Sequence, residues 1–185
     1  MEMSPEILRH YAALLDYPRG ETADELAGLM PLMRADCPSA ADRLSTFHRF
    51  VADADSARME EAYTATFDLR PLCSPYVGYH VCGEGYQRSR FLVKLQEIYR
   101  RHDFTVKGEL ADHFAAVAHF LSLAGADPEA QDLVLDGLLP ALEKSLTAFD
   151  EPTPYGELIR SLQIWLKQST ERLAVDSEPR EESVQ

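Results

Sequence analysis

Residues 60–121 read EEAYTATFDLRPLCSPYVGYHVCGEGYQRSRFLVKLQEIYRRHDFTVKGELADHFAAVAHFL. An aromatic segment almost without charge is flanked here by two strong helical periodicities. On its N-terminal side Met59, Tyr63 and Phe67 recur on one helix face. On its C-terminal side, Gly85 to His102 places Phe91, Leu92, Leu95, Ile98 and Tyr99 on one stripe. Arg88, Arg90, Lys94, Glu97 and Arg101 fall mostly on the other, so the spacing predicts an amphipathic helix. A further helix is expected from about Glu109, where Leu110, Phe114, Val117, Ala118 and Leu121 keep a helical period that closes at Gly125. Between the first two helices, Pro71 to Gly83 carries no formal charge, whereas a surface loop is ordinarily polar.

Outward from this stretch the same pattern repeats. Ser4-Pro5-Glu6 is a helix start, with a hydroxyl cap, a proline whose missing N–H costs nothing, and an acid near the positive end of the dipole. Ile7, Leu8, Tyr11, Leu14 and Leu15 follow at helical spacing until Tyr17-Pro18. Thr22 opens a second segment, with Pro31 as an expected kink, Ser39 a third and Ser56 a fourth. Asp127-Pro128-Glu129 leads into Leu133, Val134, Leu138, Leu139, Leu142 and Leu146, with a second kink expected at Pro140. This is the most apolar segment and the expected centre of the core. Thr153-Pro154 begins the last helix, carrying Leu158, Ile159, Leu162, Trp165 and Leu166. No window alternates with period two long enough for a strand, and no long repeat is visible. The expected fold is all-α, a single-domain bundle of about eight helices over residues 1–175. Residues 176–185, DSEPREESVQ, have no apolar face to bury and are expected to form a disordered acidic tail.

Composition limits the function classes. The 31 acidic and 18 basic side chains give a net charge of −13, which repels a phosphate backbone and argues against nucleic acid. A cationic peptide or basic protein surface is compatible with that charge. Cys37, Cys73 and Cys82 make an odd number with no dense framework, which suits a reducing compartment, so a cytoplasmic location is expected. Neither a signal peptide nor a membrane span is expected.

Catalytic motifs are absent: there is no HExxH, Walker loop, GxSxG or CxxC, and Gly83-x-Gly85 is too short for a nucleotide fingerprint. No enzyme activity and no cofactor are expected. Cys73, His80 and Cys82 could surround a metal, but a fourth ligand is missing, and buried unreactive cysteines are the simpler reading. Asp112 and His113 allow two readings. Asp112 complements a helix dipole beside an ordinary histidine, or it pairs with an incoming cation next to an imidazole that donates or accepts. Tyr63 and Phe67 default to packing. Tyr76, Tyr79 and Tyr86 are harder to dismiss, because an uncharged loop this long is either a lid or the lining of an apolar groove. A groove flanked by Asp68 or Asp112 suits an apolar, arginine-bearing peptide.

At these residues the sequence resembles the NarJ-type chaperones, the nitrate reductase delta-subunit group of the NarJ/TorD/DmsD superfamily. The likeness comprises Tyr63 with Thr66-Phe67-Asp68, then Gly83, Glu84, Arg88 and Arg90, then Leu95 with Tyr99, and Glu109-Leu110-Ala111-Asp112-His113. LDYP at Leu15 to Pro18 is a weaker likeness. The resemblance implies a cytoplasmic, all-helical, non-catalytic chaperone. It would bind the N-terminal, twin-arginine-like peptide of the catalytic subunit of a molybdopterin oxidoreductase and support cofactor insertion. Carried over by position, the implied peptide site is Tyr63, Thr66, Phe67, Pro75, Tyr76, Asp112 and His113; Asp68 and Tyr79 join it from the reading of the loop. Ala111 stands where the family usually has proline, and the loop is richer in tyrosine than in the nitrate reductase branch. The client is therefore nitrate reductase or another enzyme of the DMSO reductase family. The competing readings are an acidic helical adaptor with no signal-peptide role and a small metal-binding protein using Cys73, His80 and Cys82. Monomer and homodimer are both compatible with the sequence, since helical halves could exchange across the long loop.

Overall fold

The computed structural model describes residues 3–68 and 72–177. In order these form α1 (Pro5–Leu14), α2 (Thr22–Asp36), α3 (Pro38–Asp53), α4 (Ser56–Phe67), α5 (Val77–Cys82), α6 (Tyr86–Arg101) and α7 (Phe114–Ala124). Then come α8 (Pro128–Asp132), a π-helical stretch (Leu133–Leu138), α9 (Leu139–Leu146) and α10 (Pro154–Ser177). The described residues contain no strand, and Tyr76 and His113 form an isolated antiparallel bridge. The all-α expectation holds. No helix among the described residues is long and apolar enough to cross a membrane. Pro71, where the loop was expected to begin, and residues 178–185 of the expected tail lie outside the described residues.

The sequence signals set some helix starts, whereas the N-caps of α2 and α3 are Glu21 and Cys37, neither with a side-chain cap bond, rather than the expected Thr22 and Ser39. The Ser4 hydroxyl accepts from Ile7 N at 3.4 Å, and Asp127 Oδ1 accepts from Glu129 N at 2.8 Å, each satisfying a donor that the first helical turn leaves unpaired. α4 is capped by Asp55, one residue before the expected Ser56. Pro31 lies inside the unbroken α2. Pro140 has a different effect: α8, the π stretch and α9 run on as one rod, whose wider turn lies just before the proline. A proline ring crowds the carbonyl four residues back and offers no N–H, and widening the helix there relieves the crowding.

The central element is α10. It packs on α3, α4 and α9, and Tyr155, Leu158, Ile159, Leu162, Trp165 and Leu166 are all buried. The expected centre, residues 127–149, is instead one-sided: Leu135 is half exposed, while Val134, Leu138 and Leu142 are buried. Across the core, Ser161 Oγ donates to Ala40 O at 2.7 Å. With its only hydrogen so engaged, it receives the Tyr11 hydroxyl at 2.6 Å, which links α1, α3 and α10. α1 also packs along α7, and that pairing sets the ends of both helices beside the stretch that opened the sequence analysis.

Candidate peptide-binding site

Two expectations about that stretch are corrected. The uncharged loop contains α5, a six-residue helix, because the short Val77–Cys82 run can bury Val77 and Gly78 against the bundle. The helix expected from Glu109 starts at Phe114, and residues 109–113 form its approach. His113 is the N-cap: its Nδ1 accepts from Ala115 N at 3.2 Å. The ring proton therefore sits on Nε2, facing the Tyr63 hydroxyl 3.5 Å away.

Asp112 is fully buried and its carboxylate is already satisfied. Arg88 reaches it with two bonds, Nε to Oδ2 at 3.0 Å and a terminal nitrogen to Oδ1 at 3.2 Å. Gly78 N adds a third at 3.1 Å. A charge taken out of water persists only with such partners. The guanidinium expected beside Asp112 is thus this chain's own, and it also lies 4.9 Å from the centre of the Tyr76 ring. Gly78 is required by this closeness: a Cβ there would come within 2.7 Å of Asp112 Oδ2. Backbone bonds from Val77 N to Asp112 O and from Phe114 N to Pro75 O, 2.7 and 2.8 Å, clip the two segments together.

Tyr76 is held by this clamp. Its ring meets His113 edge to face at 5.5 Å, and its hydroxyl donates to Glu109 Oε2 at 3.2 Å. Tyr63 packs on Phe67, Tyr155 and Tyr17, with centroids 5.0, 5.6 and 5.4 Å apart. Tyr17 donates in turn to Glu60 at 2.9 Å. Burial drives the Tyr63 hydroxyl well above its ordinary pKa, with Asp16 and Glu109 acting in the same direction. Burial lowers the pKa of His113 against the opposing pull of Glu109, Asp16 and Asp112, so the imidazole is held neutral.

Beside these groups a cleft of about 560 Å³ opens between α1 and the approach to α7. Ala12, Phe104, Val106 and Leu123 supply apolar lining, Asp16 and Glu109 supply carboxylates, and His113 reaches it from α7. Of the sequence-derived residues, His113 lines this cleft, Tyr63 and Tyr76 contact it from behind, and the buried Asp112 holds Arg88 beside Tyr76. Pro75 contributes its carbonyl. Phe67 is buried behind Tyr63, and Thr66 bonds back to Ala62 O at 2.7 Å inside α4. Asp68 is an exposed residue at the α4 C-cap. Tyr79 stands apart, its exposed ring edge-on to His80 at 5.4 Å. Asp16, Tyr17 and Glu109 were not singled out as site residues, although Asp16 and Tyr17 sit in LDYP and Glu109 heads ELADH. Arg88 likewise lay in a quoted motif without a role.

The ligand atoms of Cys73, His80 and Cys82 do not gather. Among the described residues the group that does is His102, Asp127 and Glu129. There Arg101 already occupies Glu129 and Asp127 caps α8. His80 Nε2 donates to Ser74 O at 2.7 Å, and burial pushes the Cys73 thiol up to about 11. A thiol so placed is a poor ligand.

Nitrate reductase-like protein NarX of Mycobacterium tuberculosis, from strains CDC 1551 / Oshkosh and ATCC 25618 / H37Rv, is 30% identical over 156 residues, 82% of this chain. The chain spans 23% of the length of those relatives. The crystal structure of an Archaeoglobus fulgidus protein assigned to redox enzyme maturation superposes with a TM-score of 0.63 at 19% identity, covering 88% of this chain and 93% of that one. The fold is therefore shared. The nitrate reductase delta subunit profile matches residues 33–152, from late α2 to just beyond α9, and the chain belongs to that family.

Proposed function

We propose that this protein is a maturation chaperone for a molybdopterin oxidoreductase and that it receives the N-terminal peptide of the catalytic subunit in the cleft beside His113. The observation that carries the reading is the meeting of Asp16, Glu109 and His113 in one cleft with apolar lining, with Tyr76 packed behind His113 and bonded to Glu109. The apolar residues of the peptide would pack on Phe104, Val106 and Leu123, and its guanidinium groups would meet Asp16 and Glu109. Asp112 acts behind them, holding Arg88 and so Tyr76. Affinity would come from apolar burial, with the carboxylates setting orientation and association rate. Family membership and the shared fold support the maturation role, and the client is nitrate reductase or a related enzyme. The chain's own residues supply no catalytic constellation in this reading, and its place of work is the cytoplasm, where the client is completed.

Calorimetry with a synthetic peptide of the nitrate reductase catalytic subunit's N-terminus, and with a twin-arginine signal peptide, tests this. Tyr76→Ala and the double variant Asp16→Asn/Glu109→Gln should each weaken binding about tenfold or more without shifting the thermal midpoint appreciably. Asp112→Ala is a poor probe, since it strands Arg88 and loosens α5. Absence of binding by the unaltered protein to both peptides, or unchanged affinity in both variants, would sink the site and favour the acidic adaptor.

A further inference from the structure

A single pass of chain separates two cavities. The His113 cleft, about 560 Å³, and a second cavity of about 440 Å³ share Asp103, Phe104, Thr105, Val106 and Glu109 in their linings. All five belong to the connection between α6 and α7, whose residues 104–110 carry no helix or strand. On the far sides stand Ala12 and Ala13 of α1 and Gln96 and Arg100 of α6. Were this pass of chain displaced, the two volumes would form one trough.

The ends of the pass are fixed and its middle is not. Asp103 takes the left-handed conformation, φ +52°, and Phe104 N donates back to Tyr99 O at 2.9 Å, the pattern that closes a helix C-terminus. The Phe104 ring then seats against Tyr99 and Phe120, with centroids 4.8 and 5.7 Å apart. At the other end the Tyr99 hydroxyl donates to Ala111 O at 2.9 Å, and His113 N donates to Leu110 O at 3.1 Å. Between these anchors Thr105, Val106, Lys107 and Gly108 make no hydrogen bond, through backbone or side chain, to any of the described residues. Backbone left to water has no protein bonds to break when it moves. Two contacts hold the middle down. Val106 is half-buried against the core, and the Tyr76 hydroxyl donates to Glu109 Oε2 at 3.2 Å. Gly108 sits at φ +83°, and a Cβ there would meet nothing within 4 Å, so glycine serves backbone rotation at this point, not a lack of space.

We propose that residues 105–109 form a hinged strap, latched between the two cavities by Val106 and the Tyr76–Glu109 bond, whose release joins the cavities into one trough. Phe104 and Leu110 stay in place while the backbone between them turns, with Gly108 as the hinge. Glu109 makes the latch sensitive to what enters the cleft, because a guanidinium there brings an opposite charge to the carboxylate and the phenol brings none. This use of the strap rests on the peptide reading above: the client's cation draws Glu109 from Tyr76, and the residues that follow it lie across the opened trough.

The test is nitrogen-15 relaxation dispersion on the free protein, which reads exchange on the microsecond-to-millisecond timescale of loop opening. Thr105, Val106, Lys107, Gly108 and Glu109 should exchange with a second state, with smaller contributions at Gln96 and Ala116, which line the two cavities, and none at Phe120. Tyr76→Phe removes the latching hydroxyl and keeps the ring. Gly108→Ala penalises the positive φ of the latched state without a steric clash. Each should raise the population of the second state about fivefold. Gly20→Ala, at a glycine of φ +98° that is equally free of neighbours, should leave it unchanged. Absence of exchange at residues 105–109 in the unaltered protein, or equal effects of Gly20→Ala and Gly108→Ala, would overturn the proposal. The first of these measurements needs no variant, so a misfolded substitution leaves it decisive. Exchange of the expected pattern establishes the strap even where neither client peptide binds, which would sink the peptide reading alone. A client peptide that binds should move the population as far as Tyr76→Phe does, and binding that leaves it unchanged would also overturn the proposal.

Discussion

Arg88 and Gly78 N surround the buried Asp112 carboxylate with donors, and this network fixes the Tyr76 ring against His113. Gly78 has no room for a methyl group: it would meet Asp112 Oδ2 at 2.7 Å and Phe91 at 2.9 Å. Gly78→Ala should therefore cost about 1–3 kcal/mol in urea denaturation, despite the roughly 1 kcal/mol by which alanine ordinarily favours a helix. His113 gives a pH signature. Its affinity for protons, and that of His80, is lowered by burial in the folded state. The unfolded chain thus binds protons first as pH falls below about 6.5. Stability from these groups is full above that pH and declines as the pH falls below it toward the lowered folded-state values. His113→Asn retains a capping side chain and removes one titration, so its denaturation midpoint should depend less steeply on pH over that range. An unaltered slope would show that His113 takes up its proton equally in both states.

At the scale of elements, α5 was hidden because six residues are too few for helical periodicity to register. The residues that justify it, Asp112 and Arg88, lie far along the chain. The start of α7 was misplaced for a related reason: Leu110 and Phe114 keep a helical interval by chance, while residues 111–112 form a turn and the bridge to Tyr76 holds His113 extended. The caps were more readable, since their partners lie within three residues. Asp127 bonds Glu129 N and Ala130 N, at 2.8 and 3.4 Å. Asp127→Ala should lower the free energy of unfolding by about 1 kcal/mol, measured against Asp150→Ala, whose side chain caps no helix, as a surface reference. A loss no larger than that reference would mean that α8 is held by packing alone.

For the whole molecule, α10 closes the core between α3, α4 and α9, and the cysteines report how tightly. Cys37 and Cys73 are buried and Cys82 is half-buried. With the Cys73 thiol also pushed up to about 11, Ellman's reagent near pH 8 should titrate one of the three thiols rapidly in the native state and all three after unfolding. Fast reaction of a second thiol would contradict the packing of α5 and α2. Periodicity, caps and prolines determined by themselves that the chain is all-helical and roughly where most helices lie, and they pointed to the stretch that carries much of the candidate site. These are local signals, set by side chains a few residues apart. Only tertiary structure decided that Asp112 is spent on Arg88, that Asp16, Asp103 and Glu109 are the carboxylates lining the cleft, and that α10 is central. Those outcomes depend on desolvation and on contacts between residues far apart in sequence, which no local pattern encodes.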